Sequence, residues 1–475
     1  MENRQITDFT SGSIPKHLIT FAVPMFLGNM LQALYNTVDS IWVGRFLGPE
    51  ALGAVSVGFP IIFALIGLVM GITMATTILV SQYFGAGQGD RVVRVINNSL
   101  LLLVVMGIVV SIIGVAFHRP LLRLINTPPE IFELASDYLG IYLAGLVGMF
   151  LYNVVSAILR GLGDSKTPLK FLAFATVLNI ILDPMFIFGV GPFPRLGVAG
   201  VAWATVIAQG VSAVLSLHYL YRRSGIVSYQ PGTFRFDWEL TRLTFRIGIP
   251  AGVQQIMVSM AHLIVSSTVN LFGATVVAGF GAAGRLDQFA FMPAHSVSFS
   301  VSALVGQNLG AGKVQRVRET VRWGMLLAGG ITVIVSIVAL VRPDILMSLF
   351  TDDAAVLEQG GLYLRYMAFG YVPMSLMFTL GGLLRGSGDT VSTMLMTLVS
   401  LWIVRVPLAR ILSAMPTLGV TGVWIAMATS PLAGLAAHIL YYRTGRWQTK
   451  AVTGKPPVDG AREGSRKAVP QPAEE

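Results

Sequence analysis

The chain contains no cysteine. Disulfides, thiolate metal sites and cysteine nucleophiles are therefore excluded, and the redox compartment cannot be read. Charge is also scarce: 12% of residues are Asp, Glu, Lys or Arg, about half the share in a soluble domain of this size. Only six histidines occur. Of these, His262 and His295 fall deep in apolar segments, at no metal-ligand spacing, and read as core or cavity polar groups. No nucleophile–base pair or metal cluster offers covalent or hydrolytic chemistry, which argues against an enzyme. No filter sequence supports a channel.

What is present is apolar: 54% of the chain is hydrophobic. Apolar runs of about twenty residues, separated by short polar loops, predict an all-α integral membrane protein of about twelve transmembrane helices. The runs are 17–43, 52–80, 96–117, 137–159, 169–190, 197–221, 247–271, 276–304, 320–341, 359–383, 394–414 and 420–442. Barrel strands would be shorter and would alternate polar with apolar. The first run follows a polar leader without a small-residue cleavage site, so it is expected to be kept as the first helix.

Two motifs occur twice, each shifted by 225 residues. Gln82-x-x-Gly85-Ala86-Gly87-x-x-x-Arg91 returns as Gln307-x-x-Gly310-Ala311-Gly312-x-x-x-Arg316. Leu159-Arg160-Gly161-x-Gly163-Asp164 returns as Leu384-Arg385-Gly386-x-Gly388-Asp389. A fainter echo links Leu196-Gly197-Val198-x-Gly200-Val201 to Leu418-Gly419-Val420-x-Gly422-Val423. The chain is a duplication, and six spans per copy return it to its starting side. The copies should form two pseudo-symmetric six-helix bundles, related as parallel repeats. The expected divisions are 1–221 for the N-lobe, 222–246 for a cytoplasmic linker, 247–450 for the C-lobe and 451–475 for a disordered tail. The glycines should end helices at the membrane surface. Gly310-Ala311-Gly312-Lys313 is no phosphate loop, because Gln307 and Val314 stand where glycine and a hydroxyl are needed. Arg160/Asp164 and Arg385/Asp389 are candidates for ion pairs that latch one side.

The net charge of +10 has an orientation. One side collects Arg91, Arg94, Arg160, Lys166, Lys170, Arg222, Arg223, Arg235, Arg242, Arg246, Lys313, Arg316 and Arg318. The other holds Arg45, Arg119, Arg123, Arg195 and Arg342. That bias predicts cytoplasmic termini in a cell membrane and contact with anionic lipid. No recognition module supports nucleic-acid binding.

A carboxylate inside a span costs about 2.5–3.5 kcal/mol on insertion scales and needs a reason. Asp39 and Asp183 have no acidic counterparts in the second copy, where Ile264 and Val406 stand opposite. Counting about 1.5 Å per residue puts Asp39, Asp183 and Thr205 at one depth, roughly 10–12 Å below the outer surface. Asn179 shares a helix face with Asp183, and Tyr35 and Asn36 share one with Asp39. Pro24 and Pro184 cannot donate to the preceding turn and favour bends.

These residues resemble the multidrug and toxic compound extrusion (MATE) transporters over about residues 10–445. The resemblance implies a cation or proton site at Asp39, Asn179, Asp183 and Thr205. Tyr35, Tyr138 and Asn153 would be neighbours in its hydrogen-bond network, and Pro24 would be the helix 1 hinge. The NorM-type acidic pair of helices 7 and 10 is missing, since 247–271 and 359–383 contain no acid. That is closer to the DinF-type and archaeal branch, whose coupling site lies in the N-lobe.

In the second copy, Arg285 and Asp287 either bond to neighbouring helices or face the cavity, with Arg405 and Arg410 as candidate partners. Met257 and Phe289, with Met260, Met292 and Phe291, suit either packing or a cavity for flat molecules. The expected function is a monomeric secondary antiporter. It would export amphipathic or cationic compounds in exchange for protons or sodium, and Asp39, Asn179 and Asp183 would hold Na+ where sodium is the coupling ion. No other cofactor is expected. The alternative is a lipid or lipid-linked oligosaccharide flippase of a related duplicated fold.

Overall fold

In hydrocarbon every backbone N–H and C=O must be satisfied within its own segment. The chain meets that demand with helices: among the described residues there is no strand. The computed structural model describes residues 6–222 and 236–453. Its spans are α1 (Ile14–Leu47), α2 (Pro49–Gly85), α3 (Gly89–Leu124), α4, α5 (Lys166–Phe188), α6 (Val198–Arg222), α7 (Trp238–Phe272), α8 (Ala274–Gly310), α9 (Val314–Val341), α10 (Ala354–Ser387), α11 (Thr390–Ser413) and α12 (Val420–Thr444). Helix α4 is a pair, Pro129–Ala144 and Leu146–Gly161, bent by 46°. Two spans widen locally into π-helical turns, α1 at Val43–Leu47 and α11 at Leu398–Arg405.

The expected division at 222–246 shifts at its second boundary. Helix α7 starts at Trp238, capped by Asp237, whose side chain accepts from Leu240 N at 3.1 Å. Residues 238–246 are thus helix. Linker residues 223–235 and tail residues 454–475 lie outside the described residues.

Both repeated glycine motifs end helices. Gly87 and Gly312 take φ of +71° and +75°, a left-handed conformation that glycine adopts without a Cβ penalty. The following amides reach back, Gln88 N to Tyr83 O at 3.0 Å and Lys313 N to Asn308 O at 2.8 Å. The Arg-Gly-x-Gly-Asp copies close the same way, with Asp164 N bonded to Leu159 O and Asp389 N to Leu384 O.

The ion pairs considered for that second motif do not form. Asp164 Oδ1 accepts from Lys166 N and Thr167 N, both at 3.0 Å. Asp389 Oδ1 accepts from Ser392 N at 3.3 Å, and its other oxygen accepts from Tyr441 OH. An aspartate directly before a helix is better placed to cap exposed amides than to reach back to an arginine on the preceding helix. Burial pushes the Asp164 carboxyl above its ordinary value, against the opposing pull of the amides that it caps.

The lobes meet where α2 crosses α7 and α8. Gly71 faces Gly248 and Gly252 backbone to backbone: a Cβ at Gly71 would lie 2.4 Å from Gly248 O. At the helix ends, a Cβ on Gly85 would sit 1.9 Å from Gln307 O, and one on Gly310 would sit 2.0 Å from Gln82 O. Only glycine admits such an approach.

The glutamines of the motif complete the crossing. Gln82 Nε2 donates to Gly386 O at 2.9 Å, while its Oε1 accepts from Val452 N at 2.7 Å. Reciprocally, Gln307 Nε2 donates to Gly161 O at 3.1 Å, and its Oε1 accepts from Phe9 N at 2.9 Å. Both described termini of the chain therefore lie at this one end.

The bundles also exchange material there. Phe9, Ile14, Leu18 and Phe21 are buried in the C-lobe core with Val301, Leu304 and Val317. Leu240 and Ile247 of α7 are buried in the N-lobe core with Ile72, Leu79 and Val154.

Valine at Gly310 should force the crossing apart, at an overpacking cost of about 1–3 kcal/mol. That corresponds to a population shift of roughly 5–150-fold towards opening. A Ser81→Cys reporter, in a chain without other cysteines, should then react faster with maleimide than in the Gly310 parent. Unchanged labelling would mean that the crossing does not control access.

Candidate functional site

At mid-lobe, α1, α5 and α6 bring a polar nest together. Asn179 and Asp183 are buried on α5, Thr205 is buried on α6 and Tyr35 on α1, while Asp39 is partly buried. Spacing of four residues on α5 lets Asn179 Nδ2 donate to Asp183 Oδ1 at 3.3 Å. Asp39 and Asp183 lie within electrostatic range of each other, and Tyr35 within range of both.

Five oxygens of this nest are buried and make no well-formed hydrogen bond: Tyr35 Oη, Asp39 Oδ1, Asn179 Oδ1, Asp183 Oδ2 and Thr205 Oγ1, although Tyr35 lies close enough to Thr205, and Asp39 to Asp183, to interact. Each such atom costs about 1–3 kcal/mol if left unmade. Clustered oxygens of this kind suit a hard cation or shared protons. Among the described residues no group of three His, Cys, Asp or Glu is placed to hold a metal ion.

Tyr138 is buried on α4 and stacks on Tyr142 with ring centroids 6.2 Å apart. Both tyrosines sit within electrostatic range of Asp39. Tyr142 was not singled out from the sequence. Asn153 Nδ2 donates to Met149 O at 2.8 Å, one turn back on its own helix. Asn36 is exposed and accepts from Gln32 at 3.4 Å. Pro24 lies inside α1, buried, midway between the crossing and the nest.

The C-lobe builds a different acid cluster. Asp287 on α8 is buried, and each of its oxygens accepts from a buried tyrosine of α10, Tyr363 and Tyr371. Arg405 is in electrostatic range and is held by Ser430 Oγ at 2.8 Å. Arg285, two residues before Asp287, is exposed. The two side chains thus diverge as their spacing requires, and Asp287 takes the reading of bonds to a neighbouring helix. Phe289 is exposed, and Met257 is partly buried with its carbonyl accepting from Trp402 Nε1 at 3.1 Å.

Tyr363 stands 225 residues after Tyr138. Both copies thus place a tyrosine of the fourth helix beside a buried acid, but draw that acid from different helices. Superposing the repeats would have revealed the pair.

Two helical bundles, packed at one end and carrying buried carboxylates inside their spans, define a multi-pass membrane transporter. The MatE family model matches the chain twice, over 24–185 and 250–411, and the chain belongs to this family of multidrug efflux transporters. It is 35% identical to the probable multidrug resistance protein YpnP of Bacillus subtilis, over 93% of this chain and 97% of that one. It is 27% identical to an FAD transporter of Shewanella oneidensis, over 91% and 95% of the two chains. A solved outward-facing multidrug resistance MATE transporter superposes with a TM-score of 0.86 at 25% identity, covering 95% and 99%.

The tyrosine clamp on Asp287 yields a stability prediction. Tyr363→Phe removes one donor and should lower stability by about 1–3 kcal/mol, read as a lower Tm in detergent. In an Asp287→Leu background the same change should cost much less, because the acceptor is gone. Equal costs in both backgrounds would mean that the clamp is not the source.

Proposed function

We propose that this transporter is a secondary antiporter, exporting amphipathic compounds in exchange for protons or sodium admitted to the N-lobe nest. The observation that carries this reading is the convergence of five buried oxygens around Asp39 and Asp183, none of them in a well-formed hydrogen bond. Two carboxylates facing each other in a poorly solvated nest repel unless positive charge lies between them. A proton on Asp39 Oδ1 or Asp183 Oδ2 would relieve that repulsion. So would a sodium ion held by oxygens of Asp39, Asn179, Asp183 and Thr205.

The N-lobe takes this role rather than the C-lobe because Asp287 has both oxygens committed to tyrosines. The same distribution of acids supports the DinF-type and archaeal branch. Pro24 leaves Thr20 without its helical donor, so α1 can bend there as the charge at Asp39 changes. Coupling follows if the empty, charged nest and the neutralised nest favour different α1 shapes.

The crossing of α2 and α8 closes the end that bears both described termini. On the charge-bias argument that end is cytoplasmic, and the reading is of a monomer in a cell membrane. The substrate need not be a cation, since a similar protein carries the dinucleotide FAD. No residue cluster favours the flippase alternative.

Asp39→Asn and Asp183→Asn should each abolish efflux driven by an imposed pH or sodium gradient in proteoliposomes. Loss of at least about tenfold is expected, with the fold intact by thermal melting. Comparing the two gradients separately identifies the ion. Full gradient-driven flux in both single variants would remove the nest from the coupling step.

A further inference from the structure

Arg385 is left in the C-lobe interior without the acid that its motif suggested, because Asp389 caps the next helix and accepts from Tyr441. What holds the guanidinium is neutral. Nη2 donates to Ser298 Oγ at 2.6 Å. Nη1 and His438 Nε2 both face Gly381, 3.3 Å and 3.8 Å from where a Cβ there would stand. His438 gives its Nδ1 proton to Gly434 O at 2.7 Å, so the neutral ring carries a lone pair on Nε2, beside the same glycine that Arg385 Nη1 approaches. Nε of Arg385 is buried with no partner. Neither ion pair among the described residues includes Arg385.

His295 borders the same place, within electrostatic range of Arg385. It is exposed, although α8 is packed against α1, α2, α9 and α10. Next to it, Ser296 accepts from Asn29 of α1 at 3.3 Å. The surface open at His295 is therefore a recess between helices. Its ring lies 4.2 Å from that of Phe378, which contacts Phe291 in turn, so the recess has a flat apolar wall.

The first copy does not repeat this arrangement. Arg160 matches Arg385, but Met70, Thr73 and Ser216 stand where the second copy has His295, Ser298 and His438.

A cation anchored only by neutral partners, with a free donor beside an aromatic wall, calls for an anion. We propose that Arg385, with Ser298 and His295, docks the anionic group of an amphiphile, a carboxylate or phosphate, whose apolar body lies against Phe378. The proposal rests on the transport reading and narrows its substrate class to molecules with an anionic group. His438 is a positioning residue that fixes the guanidinium.

The test uses the full chain in phosphatidylcholine nanodiscs without any gradient, so its outcome is independent of antiport. Rhodamine B, which has a free carboxylate, and its ethyl ester are titrated by fluorescence anisotropy. In Arg385→Gln the acid should lose at least about tenfold in affinity and the ester less than about twofold. Arg385→Lys should keep most of the preference for the acid. His295→Asn, at a position open to the recess, should weaken the acid selectively and guards against a folding defect in the arginine variants.

A second arm distinguishes the source of the anion. Phosphatidylglycerol retained by purified wild type and Arg385→Gln is compared by mass spectrometry. Selective loss of the acid dye assigns the site to a free amphiphile, and selective loss of retained phosphatidylglycerol assigns it to a lipid headgroup. Equal loss of both dyes, or no change in either arm, overturns the anion site.

Discussion

The structure depends on one crossing, where α2 and α8 bring Gly85 and Gly310 against each other's neighbouring glutamines. Membrane helices gain little from apolar association, because lipid is as apolar as the side chains. Close backbone approach and satisfied polar groups must supply the contact instead. Gln82 and Gln307 do both, each spending its amide on a carbonyl of the opposite bundle and its oxygen on an amide near one chain end. The pseudo-symmetry of the fold is therefore also the symmetry of its closed end. That explains why this motif survives in both copies while the interior residues diverge.

The divergence is electrostatic. The first bundle carries two facing carboxylates whose outer oxygens make no well-formed hydrogen bond, and the second holds its acid between two tyrosines and leaves an arginine uncompensated. Duplicated scaffolds allow this: packing constrains the repeated glycines, whereas a polar group in the interior is constrained only by what it must hold. The shared tyrosine, Tyr138 in one copy and Tyr363 in the other, marks where the two interiors began from the same plan.

Much of the architecture was legible from sequence because the membrane restricts the choices. Span number and duplication follow from apolar length and from motifs at a constant offset. Asp39, Asn179, Asp183 and Thr205 could be grouped because depth is nearly linear in residue number along a helix. Rotation about the helix is less readable: Asn153 donates its amide to Met149 O, one turn back along α4. The Arg-Gly-x-Gly-Asp reading diverged for a related reason. Opposite charges four residues apart look like a pair on a continuous helix, but a left-handed glycine between them redirects the aspartate to the next helix. The exchange of α1 and α7 starts between bundles was not legible, since hydrophobic pattern says that a face is buried but not against which copy.

Helix α1 joins these parts physically. Its start is held on the C-lobe by Gln307 and by Arg316, whose Nη2 donates to the carbonyls of Phe9, Ser11 and Gly12, each at 3.1 Å. Its far half carries Tyr35 and Asp39 into the N-lobe nest, roughly 40 Å along the helix axis. The helix is thus pinned in one bundle and charged in the other, with Pro24 between. A change of charge at Asp39 that altered the bend at Pro24 would have to move either the nest or the pinned end. The pinned end is held by several charge-assisted and buried hydrogen bonds, while the nest has unsatisfied oxygens. On the proposed coupling the softer end would yield first, and motion would enter the N-lobe while the crossing stayed closed.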